Sequence, residues 1–183
     1  MGEGVTALIL RSAYKARLGD LVTVNAGPSD VVILRGLVID GLNRAANGIK
    51  FNTGAALHVQ NSLVKNVRGA SGVGINFTPG GASDLFVTDT TVINNNGVNG
   101  IGIQINPTGS GLVRATSNRL TVEQNGDGIK IDGSSSTGTS DPQCVIASCS
   151  PMAAAVCGRV HPAARSRRPS SSTRRSIRMR WSA

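Results

Sequence analysis

The chain has 183 residues, an ordinary length for a single domain, with 23 glycines and only 3% aromatic residues. So few rings disfavour an aromatic-lined pocket and fit a chain of short strands and many turns. A net charge of +9 invites a nucleic-acid partner, yet residues 1–140 carry 11 Lys and Arg against 9 Asp and Glu, and residues 141–183 carry 8 Arg and one Asp, so the excess lies at the C-terminal end.

From the N-terminus, residues 1–20 form the least regular stretch. Gly4–Leu10 reads as a lead-in strand, but Arg11-Ser12-Ala13-Tyr14-Lys15-Ala16-Arg17 breaks its alternation. A short helical cap over an open solenoid end fits this segment, and so does a degraded first repeat. Met1–Leu10 carries no basic leader, and Ala7–Leu10 is too short for the apolar core of a secretion signal. No apolar run approaches the length that crosses a membrane.

From Leu21 onward one phrase keeps returning. It reads Val22-Thr23-Val24-Asn25, Gly48-Ile49-Lys50-Phe51-Asn52, Gly74-Ile75-Asn76-Phe77-Thr78, Gly102-Ile103-Gln104-Ile105-Asn106 and Gly128-Ile129-Lys130-Ile131-Asp132. The steps between first apolar residues are 27, 26, 28 and 26, and a fixed period of this size signals a repeat architecture. Alternation of apolar and polar residues is the pattern of a strand with one buried face. The leading Gly is expected to open a corner at φ values other residues avoid. A second strand is expected at Val31-x-Ile33, Leu57-x-Val59, Leu85-x-Val87 and Val113-x-Ala115, and a third around Val38, Val64, Val92 and Leu120.

Units of this length are too short for four-stranded propeller blades, and no helical period is present. A leucine-rich horseshoe overlaps in repeat length, but it needs a helical segment and a dense Leu pattern that are both missing. The pattern predicts an all-β, right-handed parallel β-helix of about four to five rungs over residues 21–140. Each strand would pair with its equivalent one rung away, ~4.8 Å along the axis. Ile49, Ile75, Ile103 and Ile129 would stack inside, beside Phe51, Phe77, Ile105 and Ile131. Asn66 and Asn94 are candidates for an amide ladder along the axis.

The Gly-Ile-x-Phe/Ile phrases, Ser29–Leu37 and Ala56–Asn61 carry a likeness to a known family. Over about Asn25–Ser140 the chain resembles right-handed β-helix repeat proteins of the pectate-lyase-like superfamily, closest to small bacterial members of unassigned activity. The resemblance speaks for the fold and leaves chemistry open, because unlike activities share this scaffold. It implies a substrate groove along an outer strand face, and relatives that are commonly exported; the localisation of this chain stays open.

With Ile and Phe inward, the residues between them face out: Thr23, Lys50, Asn76, Gln104 and Lys130 in one column. Asn25, Asn52, Thr78, Asn106 and Asp132 form the next. This stripe offers hydrogen bonds to sugar hydroxyls, with Lys50 and Lys130 suited to uronate carboxylates. A solvated strand face would be polar in any case, and that reading stands beside it.

Catalytic sets are missing from the pattern. A calcium-type lyase needs clustered carboxylates and a basic residue, and an inverting hydrolase needs two carboxylates ~6.5–9.5 Å apart. Asp84, Asp89, Asp127 and Asp132 fall at different rung positions, and His58, with Phe86 and Arg114 as expected column neighbours, gains no carboxylate partner.

After Ser140 the period stops. Residues 141–183 read as a disordered Arg-, Ser-, Pro- and Ala-rich tail, or as coding sequence out of frame. Cys144, Cys149, Cys157 and His161 follow a C-x4-C-x7-C-x3-H spacing that matches no established zinc pattern, so no metal site is assigned. The tail's arginines would give only salt-sensitive nucleic-acid adhesion.

The sequence thus leads to a non-catalytic repeat module whose polar face, through Lys50, Asn76, Gln104, Lys130, Asn106 and Asp132, binds polysaccharide. The alternative is a fragment of a polysaccharide lyase, hydrolase or epimerase whose catalytic rungs are missing. No cofactor and no membrane partner is expected, and an uncapped solenoid would associate end to end.

Overall fold

A computed structural model of the protein describes residues 19–98 and 100–137. Of the lead-in expected over residues 1–20 only Gly19 and Asp20 are described, Asp20 as the first residue of a strand, and the tail expected over residues 141–183 lies outside the described residues. Every regular element among the described residues is a strand. They run β1 (Asp20–Asn25), β2 (Val31–Arg35), β3 (Val38–Asp40), β4 (Asn47–Thr53), β5 (Ala56–Gln60), β6 (Leu63–Lys65), β7 (Val73–Phe77), β8 (Ser83–Ile93), β9 (Ile101–Ile105), β10 (Val113–Glu123) and β11 (Asp127–Ile131).

The recurring phrase builds the first sheet. β1, β4, β7, β9 and β11 lie side by side, all parallel, with Val22 opposite Ile49, Ile49 opposite Ile75, Ile75 opposite Ile103 and Ile103 opposite Ile129. Strands paired one repeat apart make a parallel β-solenoid of about four turns. β1–β3 form rung 1, β4–β6 rung 2, β7–β8 rung 3 and β9–β10 rung 4, and β11 begins a fifth.

The second sheet covers the other two faces. β2 and β3 pair with β5 and β6, which pair in turn with the two halves of β8. β10 then lies along the whole of β8. The bend inside each long strand sits at a left-handed residue, Asp89 (φ 50°) and Arg119 (φ 48°), stacked beneath Asn61 (φ 46°) and Gly36 (φ 68°). Gly, Asn and Asp tolerate that region, and Arg119, which enters it less readily, forms an ion pair with Asp89 one rung away.

Inward side chains stack in columns through the axis. Phe51 and Phe77 lie face to face with centroids 4.6 Å apart, and Ile49, Leu57, Val59, Val64, Ile75 and Val92 are fully buried around them. Fully burying an aliphatic side chain is worth about 1.5–3 kcal/mol, so these columns hold the rungs together.

Three expectations need correction. The phrase glycines Gly48, Gly74 and Gly102 do not have positive φ. They are required by close approach: a Cβ on Gly74 would meet the Gly102 carbonyl oxygen at 2.6 Å, Val92 Cγ1 at 2.7 Å and Asn95 Nδ2 at 2.9 Å. The second strand of rung 1 is slipped by one residue from the expected pairing. Val32 and Leu34, not Val31 and Ile33, sit over Leu57 and Val59, and Ile39, not Val38, sits over Val64. Because side chains alternate with period 2, that slip turns Val31, Ile33 and Val38 outward, where they are exposed. In rung 4, Ala115 and Ser117 rather than Val113 and Ala115 lie on Leu85 and Val87, and Val122 rather than Leu120 lies on Val92.

The asparagine ladder expected at Asn66 and Asn94 is present: Asn94 Nδ2 donates to Asn66 Oδ1 (2.7 Å), and Asn66 Nδ2 donates to Asp40 Oδ1 (2.9 Å). A second ladder, which the sequence reading missed, runs deeper. Asn95 is fully buried and accepts the Val67 N–H (2.9 Å), while its own N–H donates to Asn125 Oδ1 (2.9 Å).

Candidate functional site

The first sheet places the first predicted outward column in register, and a bulge after Val24 shifts the start of the second, with Asn25 opposite Thr53. Thr23, Lys50, Asn76, Gln104 and Lys130 follow one another rung by rung. In the neighbouring column Asn52 Nδ2 donates to Asn25 Oδ1 (2.8 Å), Thr78 N–H to the Phe51 carbonyl (2.9 Å), Asn106 N–H to the Phe77 carbonyl (2.9 Å) and Asp132 N–H to the Ile105 carbonyl (2.9 Å). All six residues proposed from sequence therefore share one face.

The two halves of that face differ electrostatically. At the N-terminal end the polar groups bond to one another, with Asn76 Oδ1 left over. Lys50 Nζ lies 3.7 Å from Asp20, Asp20 accepts from Asn47 Nδ2 (2.5 Å), and Asn76 Nδ2 donates to Asn47 Oδ1 (3.0 Å). Lys50 is thus already charge-compensated, which weakens it as a partner for a uronate. Towards the C-terminal end, the side chains of Gln104 and Lys130 have no hydrogen bond or ion pair among the described residues. Asp132 accepts from Ser134 N–H (3.0 Å) and has a further partner. Asn106 Oδ1, like Asn76 Oδ1, is covered and meets no donor.

The other ion pairs among the described residues run along the axis. Asp40 pairs with Lys65 (3.4 Å), Asp84 with Arg114 in a two-bonded fork (2.8 Å each) and Asp89 with Arg119 in another, every partner one rung away. The Arg119 hydrogen bonds hold the Asp89 carboxyl below its ordinary value, and the same bonds raise the Arg119 guanidinium. Partial burial pushes Asp40 up, but the Asn66 hydrogen bond, the Leu42 N–H and Lys65 outweigh it and leave a net lowering. Asp84 and Asp89 thus serve as links between rungs.

His58 also differs from expectation. It stacks on Phe86, centroids 4.5 Å apart, as expected, but its rung-4 neighbour is Thr116, because Arg114 lies over Asp84. Among the described residues no three His, Cys, Asp or Glu side chains gather closely enough to hold a metal ion. Cys144, Cys149, Cys157 and His161 lie outside them. Among the described residues no helix is long and apolar enough to cross a membrane. Comparisons with protein-family models, with curated proteins and with solved structures found no match.

Proposed function

We propose that the solenoid is a non-catalytic module of the pectate-lyase-like type that binds polysaccharide along the outward face of its first sheet. The observation carrying this reading is the pair Gln104 and Lys130, one rung apart beside Asn106, whose side chains have no partner among the described residues. A hydroxyl-rich chain lying along the axis gives each of these groups a partner without breaking a bond. Turning the Asn106 carboxamide outward exchanges an unsatisfied acceptor for a hydroxyl donor. Lys130 supplies a charge-assisted bond to an acidic sugar. Lys50 and Asn76 contribute less, because a ligand must compete with Asp20 and Asn47.

The test is binding of the full chain to a panel of neutral and uronate-containing polysaccharides, read by affinity electrophoresis. Lys130→Ala and Gln104→Ala should each weaken uronate binding about fivefold to tenfold, a loss of about 1–1.4 kcal/mol, and Lys50→Ala less. Absence of binding, or equal losses at all three positions, contradicts the proposal. Release of unsaturated or reducing sugar ends would favour the polysaccharide-cleaving alternative instead.

A further inference from the structure

We infer that Asn96-Gly97 is a self-modifying site, where the Gly97 backbone nitrogen displaces ammonia from the Asn96 side chain and water opens the resulting ring. The chain contains four Asn-Gly pairs, beginning at Asn47, Asn96, Asn99 and Asn125. Glycine after asparagine favours this reaction, because no Cβ hinders the approach of the amide nitrogen to the carboxamide carbon. The asparagine side chain must also be free to swing back onto its own backbone, and the glycine N–H must not be held by an acceptor.

Asn99 lies outside the described residues, and the solenoid treats the other three pairs differently. Asn47 is only 4% exposed and is held at both ends of its carboxamide, Nδ2 donating to Asp20 Oδ1 (2.5 Å) and Oδ1 accepting from Asn76 Nδ2 (3.0 Å). Its partner Gly48 lies inside β4. Asn125 is held at both ends as well, Oδ1 accepting the Asn95 N–H (2.9 Å) and Nδ2 donating to the Val92 carbonyl (3.0 Å). Asn96 follows the two ladder residues Asn94 and Asn95 in the corner after β8, yet takes part in neither ladder. It is exposed, and among the described residues neither its carboxamide nor the Gly97 N–H has a hydrogen-bond partner.

In the first step a bond forms between the Gly97 nitrogen and Asn96 Cγ, the nitrogen gives up its proton, and the Cγ–Nδ2 bond breaks to release ammonia. The product is a cyclic imide. Water then adds to one of its two carbonyls. Opening at Cγ leaves an ordinary backbone with aspartate in place of Asn96, and opening at the main-chain carbonyl leaves isoaspartate, with the backbone running through Cγ. Either product gains a carboxylate that is ionised at neutral pH.

The test is incubation of the full chain in mildly alkaline buffer, followed by peptide mass spectrometry with fragmentation that separates Asn96 from Asn94, Asn95 and Asn99. Asn47 and Asn125 must each break two hydrogen bonds before reacting, so Asn96 should convert about tenfold or more faster than either. In urea that unfolds the chain, the three pairs should convert at similar rates. Equal rates at Asn96, Asn47 and Asn125 in the folded chain overturn the inference. A difference that persists in urea overturns it too, because local sequence rather than the fold would then select Asn96. So does an Asn96 rate that rises by about tenfold on unfolding, since the folded corner would then be protecting it.

Discussion

Rungs 2 and 3 and rung 4 share one register but are filled differently. Leu57 and Leu85 fill one inner column and Val59 and Val87 the next, all at most 2% exposed; rung 4 continues these columns with Ala115 and Ser117. A small pocket of about 20 Å³, open on one side, lies at this rung, bordered by Leu85, Val87, Ala115, Ser117, Leu120 and Ile129. The strands stay in line nonetheless, held by the β8–β10 backbone ladder and by the Asp84–Arg114 and Asp89–Arg119 forks. Side-chain volume therefore tunes a rung's stability, while backbone pairing and tight corners fix its place.

The sharpest way to break that comparison is at a corner of the well-filled region. Gly74→Ala drives a Cβ into backbone and buried side chains, and should destabilise the protein by about 3 kcal/mol in urea unfolding. A cost below about 1 kcal/mol would mean that the rungs are not so closely stacked. Next in size is Asn95→Ala, which strips the buried Val67 N–H of its acceptor and should cost about 1–3 kcal/mol. In the loosely filled rung the sign reverses: Ala115→Val should stabilise by about 1 kcal/mol by occupying the pocket.

The smallest effect is the acid dependence of the links between rungs. Asp89 and Asp40 have folded-state values below the ordinary 3.8. Their contribution is therefore complete above that value and lost as pH falls through the lowered ones. Thermal melts of the parent should drop more steeply below about pH 4 than those of Asp89→Asn. Parallel curves would show that the Arg119 fork contributes nothing measurable.

The first sheet was legible because its phrases alternate strictly between inward and outward residues. The second sheet was harder for physical reasons. Val31-Val32-Ile33-Leu34 is apolar without a break, so hydrophobicity cannot choose between its two faces, and only pairing with β5 does. In rung 4 the corner before β10 is two residues longer than the one before β8, spanning 106–112 against 78–82, which displaced the expected alignment. The next corner compensates, with residues 124–126 in place of 94–100. The outward columns of the candidate site followed from the first sheet, except at Asn25, which a bulge sets opposite Thr53 instead of Asn52. Which of their residues are already engaged did not, because Asp20 and Asn47 approach Lys50 and Asn76 only through the stacking of rungs.

The most direct test of the account is a distance along the candidate face. Spin labels at Lys50→Cys and Lys130→Cys, with Cys144, Cys149 and Cys157 replaced by Ser, sit three rungs apart in one column. The solenoid predicts a Cα separation of about 14 Å and a narrow distribution of label distances centred near it. A broad distribution, or one centred beyond roughly 25 Å, would contradict the stacked register on which both the fold and the candidate face depend.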